Sequence, residues 1–250
     1  MNDSNPVGMT ITMEQIQNEY DEFIDARADI NIYTRSRRLQ EQATLEIDEY
    51  VSKIKGFKAQ AVSRGDERAA NLFFHFQCML RSLESSLKVW VAIKSEDFSS
   101  AWSRLVDAQE YKDVALKIFD YPGARHLEQR LFEMESALFP GWSVYNSAGF
   151  TETIGRCSIC SAGFGDCDHI ENFVYMGSLC RRVDREFIEA NHSAIVKNPR
   201  DRRCIVTKMS NDNGKMVDRF TLEEAGDKRE DTDATLLEGI LFTTTSLDFD

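Results

Sequence analysis

Apolar residues recur at helical spacing over roughly the first 140 positions of the chain and lose that spacing afterwards. Residues 1–11 show no periodicity and read as a flexible arm. Thr12 followed three places later by Gln15 is a capping-box pattern. Behind it Ile16, Tyr20, Phe23 and Ile24 share one helical face. A second helix is predicted over about 35–62, with Leu39, Ala43, Ile47, Tyr50, Val51 and Ile54 in register. The "SRGD" run at 63–66 stops it, and Asp66 is placed to cap the next helix. That third helix, about 66–94, is the most apolar and is expected to be the spine of the core; its stripe runs from Leu72 and Phe73 to Trp90 and Val91. "KSEDF" (94–98) separates it from a fourth helix carrying Trp102, Leu105, Val106, Tyr111, Val114 and Ile118. "DYPG" (120–123) precedes a fifth with Leu127, Leu131, Met134 and Leu138, and "FPGW" (139–142) ends the helical half. Five amphipathic helices on short connections predict an antiparallel bundle or small helical array.

After position 142 the pattern becomes short, strand-like and glycine-containing. "WSVYNSAGF" and "TETIGRC" read as strands, and "REFIEANHSAIVKNP" as a short helix followed by a strand that ends at Pro199. "RCIVTKM" and "KMVDRF" around a turn ending in Asn213-Gly214 predict a hairpin. Residues 221–234 are charged and nearly free of large apolar groups, as a linker would be. The last stretch, to 250, is expected either to dock back on the protein or to be captured by a partner. The expected class is therefore α+β: a helical domain over 12–140, a small β-rich domain over 143–220, and an acidic linker and docking tail over 221–250.

Composition narrows the function. Apolar residues make up 42% and charged residues 29%, the balance of a folded soluble chain. No apolar run approaches the ~20 residues that span a bilayer. "MNDSNPVGMT" lacks the basic start and apolar centre of a signal peptide. A cytoplasmic, reducing setting follows as the expectation. The net charge is −12. The segments 1–150 and 205–250 each carry −6, and 151–204 is neutral, with 8 basic against 8 acidic residues. A nonspecific grip on nucleic-acid phosphates is not expected of such a chain; a protein partner or a multi-subunit assembly is. Arg200, Arg202 and Arg203 form a local basic cluster, interrupted by Asp201, and read as a solvated turn.

The candidate chemistry is concentrated in "CSICSAGFGDCDHIENFVYMGSLC", Cys157 to Cys180, which holds four of the six cysteines and one of the four histidines. Cys157 and Cys160, two residues apart, can offer two thiolates to one ion from a turn. Cys167 and His169 can complete the tetrahedral set that Zn²⁺ takes. Cys180 is an alternative ligand that could replace Cys167. Gly163 and Gly165 are expected to let the loop turn back tightly. A structural zinc site is the reading adopted over clustered free thiols. A catalytic zinc would need an open position and a carboxylate base; Asp166, Asp168 and Glu171 are near in sequence but carry no such pattern. His75 and His126 fall in helices as packed or surface residues, and Cys78 and Cys204 are expected to be core or partly exposed thiols.

Two resemblances attach to these residues. The run Cys157-x2-Cys160 followed by Asp168-His169-Ile170 resembles the opening of the HNH endonucleases, which implies a metal-dependent nuclease acting through His169. The second Cys pair of that family is missing, since Arg181-Arg182-Val183 follows Cys180, and Asn191-His192 stands outside the family's context. Downstream, "HSAIVKNPRDRRC" (192–204) resembles the "EVSLVxxPAxP" strand and turn of tailed-phage prohead proteases and related prophage proteins, some of which carry an upstream cysteine element like 157–180. Ala194 stands at that family's serine, and Ser193 is one register away, on the opposite face of a strand. Proteolysis is therefore not carried over, and the resemblance implies a phage-related protein. The expected function is a non-enzymatic, zinc-stabilised interaction or adaptor protein, a subunit of a larger bacterial or phage-related assembly. The alternative is a degenerate HNH-like nuclease using His169.

Overall fold

The structure is a computed structural model that describes residues 12–33, 35–141, 144–226, 235–243 and 247–249. The expected arm 1–11 lies outside these residues, as does 227–234 of the expected linker. Five helices run in order: α1 (Met13–Tyr33), α2 (Arg37–Ser63), α3 (Glu67–Lys94), α4 (Phe98–Ile118) and α5 (Pro122–Leu138). Their starts follow local chemistry. Thr12 N–H donates to Gln15 Oε1 at 2.8 Å and Gln15 N–H to Thr12 Oγ1 at 3.2 Å, the reciprocal pair of a capping box. Asp66 accepts from Ala69 N–H at 3.0 Å and Asp97 from Ser100 N–H at 3.1 Å, each satisfying an orphan donor of a first turn. Pro122 opens α5, where its missing N–H has no intrahelical acceptor to lose.

Helix α3 is the axis, packed between α2 and α4 with α1 also against it. Being covered on several sides, it buries polar positions along with Phe73, Phe74, Leu80 and Leu87. Three of those polar groups are paired by the neighbouring helices: Ser82 Oγ donates to Ala108 O at 2.7 Å, Asn31 Nδ2 to Ser86 Oγ at 2.9 Å, and His75 Nδ1 lies 3.0 Å from Ala115 O. The α2 stripe differs by one position from the periodicity: Leu39 is exposed and Gln40 is buried, accepting from Lys94 of α3. Tyr20 stacks on Phe76 at 3.9 Å between ring centroids, and Phe23 on Tyr50 at 4.1 Å. His126 is exposed on α5; Cys78 and Cys204 are both buried.

The strand-rich remainder is nested. Strands β1 (Tyr145–Glu152) and β6 (Phe187–Val196) pair antiparallel as a two-stranded ribbon. Inside it β2 (Arg156–Cys157) pairs with β5 (Arg182–Val183), and inside that β3 (Val174–Tyr175) pairs with β4 (Ser178–Leu179). A single 3-10 turn, Phe164–Asp166, lies between β2 and β3. The short helix expected after Arg185 does not form. Phe187–Val196 is one strand, because Gly149 through Tyr145 supply it with a continuous ladder, and bulges absorb the mismatch at Gly149/Phe150 and Thr151/Glu152. A separate three-stranded sheet follows in the order β8–β7–β9: β7 (Val206–Ser210), β8 (Met216–Asp218) and β9 (Leu237–Gly239). β7 and β8 are the hairpin read from the sequence.

The C-terminal half shares the helical cores. Tyr145 and Ile205 join Val89, Trp102, Leu105 and Leu131 in one apolar cluster; Leu179 and Phe249 join the α1–α3 residues in another. The end of the chain docks on the bundle. Phe249 is buried edge-on to Phe74 and Tyr111, Asp248 N–H donates to Tyr111 Oη at 2.8 Å, and the Asp248 carboxylate meets Lys55 at 2.8 Å and Arg81 at 3.2 Å. Replacing Phe249 by Ala is expected to cost about 3 kcal/mol, the range for emptying an aromatic site in a core. Lys55→Ala, which breaks a half-exposed ion pair, is expected to cost under about 1 kcal/mol. Chemical denaturation of the two variants measures both.

Candidate metal centre

Residues 153–186 close between the two strands of the ribbon, and the cysteine-rich run lies there. Cys157 ends β2, fully buried. Its N–H donates to Ala162 O and its carbonyl accepts from Ser161 N–H, both at 2.9 Å. Ser161 takes a φ of 60°, so the chain reverses within four residues and Cys160 comes back beside Cys157. Ile159 N–H points at Cys157 Sγ at 3.4 Å. The 3-10 turn then carries the chain to Cys167 and His169. The ligand atoms of Cys157, Cys160, Cys167 and His169 all lie within 4.8 Å of one another, and all six cysteines are free thiols. This cluster could hold a metal ion.

Three features fit a cation there. Tetrahedral thiolate ligands at the ordinary ~2.3 Å bond length sit about 3.8 Å apart, within the span of the cluster. His169 Nδ1 is buried without a hydrogen-bond partner, a lone polar atom that a metal bond would satisfy. Burial opposes ionising Cys157, but the Cys160 and Ile159 N–H groups and the neighbouring thiols outweigh it and bring its pKa down to about 6, favouring the thiolate that metals bind. Cys180 stands apart from the cluster of four, yet its Sγ is 3.8 Å from that of Cys157. Burial first, and then the Cys157 charge, push the Cys180 thiol up to about 12, so of this pair Cys157 ionises first.

The surroundings lock the ligands in place. Tyr175 stands edge-on to the His169 ring at 4.7 Å, and its hydroxyl accepts from Ile170 N–H at 3.1 Å. Ser158 N–H donates to Arg181 O at 2.9 Å, and Arg181 N–H returns to Ser158 Oγ at 2.9 Å. Asn172 N–H donates to Cys180 O at 2.8 Å. Periodicity and metal-ligand spacing give no signal for Tyr175 or Ser158, whose roles depend on the nested pairing. The glycine expectation is corrected. Gly163 has a φ of −53° and Gly165 is not among the positive-φ residues; the demanding positions are Gly155 (φ +75°), where a Cβ would meet Val183 O at 2.4 Å, and Gly177. Asp166 and Asp168 are exposed, and Glu171 is paired with Arg182 at 3.1 Å. Asn191 and His192 are exposed on β6, with Asn191 donating to Thr151 Oγ1 at 3.1 Å.

Gly177 joins the metal loop to the bundle. Met176 (φ 47°) and Gly177 (φ +74°) form the two-residue turn between β3 and β4, and Gly177 N–H donates to Asn71 Oδ1 of α3 at 2.7 Å. A Cβ there would come within 2.8 Å of Ala70 O. Gly177→Ala is expected to destabilise by at least the ~1–2 kcal/mol of forcing a side chain into left-handed backbone. A thermal melt of Gly177→Ala beside Gly141→Ala, where a Cβ meets nothing, checks this.

No helix among the described residues is long and apolar enough to cross a membrane. Set beside known proteins, the chain matches no family model, no curated protein and no solved structure.

Proposed function

We propose that this chain is a non-enzymatic, zinc-stabilised interaction protein: an adaptor subunit of a larger bacterial or phage-related assembly, working in the cytoplasm. The observation that carries the zinc reading is the convergence of three thiols and one imidazole within 4.8 Å in a segment that has little else to hold it. Zinc suits thiolate and imidazole donors and closes a four-ligand site with no position left for substrate. In this reading Cys157, Cys160, Cys167 and His169 bind the ion, which acts as scaffold and fixes the loop against α3. His169, spent as a ligand, is then not free to activate water as the nuclease alternative requires. The partner reading rests on surface chemistry. The net charge of −12 disfavours phosphate backbones. The β1/β6 ribbon exposes Phe150, Phe187, Ile188 and Ile195, apolar side chains of the kind that partners cover.

Purification from the native host without added metal, followed by elemental analysis and affinity capture, tests both parts. One zinc per chain is expected, together with a captured protein lost on Phe187→Ser with Ile195→Ser. Absence of zinc ends the scaffold reading. Mg²⁺- or Mn²⁺-dependent cleavage of nucleic acid, abolished by His169→Ala while zinc stays bound, replaces it with the nuclease.

A further inference from the structure

A cleft of about 900 Å³ opens where α1, α3 and the end of α4 meet the metal loop, in the size range of small-molecule sites. Its wall combines ring faces with two buried polar groups. Tyr20 is 1% exposed, and its buried hydroxyl has the Tyr121 hydroxyl, itself on the cleft wall, as its polar neighbour. His75 is 2% exposed, and its Nδ1 must donate to the Ala115 carbonyl, which can only accept. That leaves Nε2 as an acceptor on a residue of the cleft wall. Burial lowers the His75 pKa, so the ring stays neutral. At the mouth, Phe119 and Phe173 expose 58% and 57% of their surface, unusually much for phenylalanine.

The charge of this cleft is opposite in sign to that of the chain as a whole. In a chain of net −12, its lining holds two cations, Arg68 and Lys117, against one carboxylate, Asp21. Arg68 is exposed and makes no ion pair among the described residues, and Lys117 has only a 3.4 Å contact to Asn172 O. We propose that the cleft binds a nucleoside monophosphate, its base between the aromatic walls and its phosphate at Arg68 and Lys117. Aromatic faces stack any base. A base edge offers a donor for His75 Nε2 and an acceptor that can extend the Tyr20–Tyr121 hydroxyl pair, whereas a plain hydrocarbon ring would leave His75 Nε2 unpaired. Asp21, the remaining charge, faces the ribose hydroxyls as an acceptor. Asn172 and Phe173 come from the loop between His169 and Cys180, so the metal loop supplies one wall of the site.

Calorimetric titration of the full chain, as purified, with AMP, GMP, CMP and UMP in turn tests this. At least one is expected to bind a single site with a Kd at or below about 1 mM, the weak end of ordinary substrate affinity. Tyr20→Phe, which removes only the hydroxyl, is expected to weaken that nucleotide about fivefold, the worth of one neutral hydrogen bond. Arg68→Ala, on an exposed side chain, is expected to weaken the nucleotide and leave the matching nucleoside unchanged. The proposal fails if none of the four binds in that range, if either substitution has no effect on the nucleotide, or if inorganic phosphate alone binds as tightly as the nucleotide.

Discussion

Chelating the metal is expected to unfold residues 153–186 while most of the helical circular-dichroism signal survives. The reason lies in what each part buries. In that segment only Cys157, Gly177, Leu179 and Cys180 are buried, and its internal strands are two residues long. Of those four, Leu179 alone has a large apolar side chain that reaches a core cluster. Strand pairs this short do not persist in water without a packed face, so on the proposed reading a bound ion supplies the ordering energy. Structural zinc sites in small peptides contribute about 10–16 kcal/mol of apparent binding energy near neutral pH, well above what the remaining hydrogen bonds of the loop can add. The helices hold their own core of Phe73, Phe74, Leu80, Leu87 and Trp102, and do not depend on the ion. Hydrogen exchange gives the residue-level measurement. On chelation the amides of Cys157, Ser158, Asn172 and Cys180, which bond across the loop, should lose protection, while those of α3 keep it. Cys157→Ser should reproduce the loss without chelator, since Cys157 is the buried member of the candidate ligand set and the turn is built on it. Loop amides that stay protected in excess chelator would show that protein contacts alone hold the segment.

The helical half was legible because its elements obey local rules. Thr12/Gln15 and Asp66 announce their caps, and a 3.6-residue period needs no distant partner to be seen. Where packing comes from several sides the period blurs: Gln40 displaces Leu39 from the buried position of α2, and α3 buries Ser82, Ser86 and His75 because α1 and α4 provide acceptors or donors for them. The strand half was less legible for the same reason in stronger form. Phe187–Val196 has mixed local preference and becomes one strand only because β1, some forty residues earlier, lies beside it. Ligand spacing within 157–169 is local chemistry and could be read directly. Which glycines the loop depends on could not, since Gly155 and Gly177 are constrained by Val183 O and Ala70 O, atoms distant in the chain. The Arg200–Arg203 cluster illustrates the limit most clearly. It reads as a solvated turn, and Arg202 and Arg203 are instead bound to α4 and α5.

Arg203→Ala is therefore expected to be among the most damaging single substitutions outside the metal site. The Arg203 side chain is 4% exposed and Asp107, which it grips through Nη2 at 2.6 Å and Nε at 3.1 Å, is 3% exposed. The same guanidinium reaches Glu110 at 2.8 Å and Asp201 at 2.9 Å, so one cation serves three carboxylates. Beside it Trp102 Nε1–H donates to Arg202 O at 2.8 Å, and Arg202 binds Glu135 at 2.6 Å. This cluster fastens the segment entering β7 to α4 and α5. Truncating Arg203 leaves Asp107 buried, with the partly exposed Arg104 as its remaining cation, and the three carboxylates repelling one another. Breaking such a pair from one side costs about 3–5 kcal/mol, or a fall in Tm of about 10 °C for a chain of this size. Arg203→Lys should recover only part of it, because an ammonium cannot reproduce the forked contacts. The pH dependence has a definite sign. Burial pushes the Asp201 carboxyl up, but the Thr243 hydroxyl, the Arg203 N–H and the guanidinium charge outweigh it and hold the pKa below its ordinary value. A depressed folded-state pKa contributes stability that is complete above the unfolded value of about 4 and disappears as pH falls through the folded one. The gap between wild type and Arg203→Ala should thus be widest near neutrality and narrow below about pH 4, as Asp201 takes up its proton. Denaturation curves of the two proteins at pH 7 and pH 3.5 measure that narrowing, and a gap that stayed constant or widened in acid would mean that Arg203 stabilises by packing and not by charge.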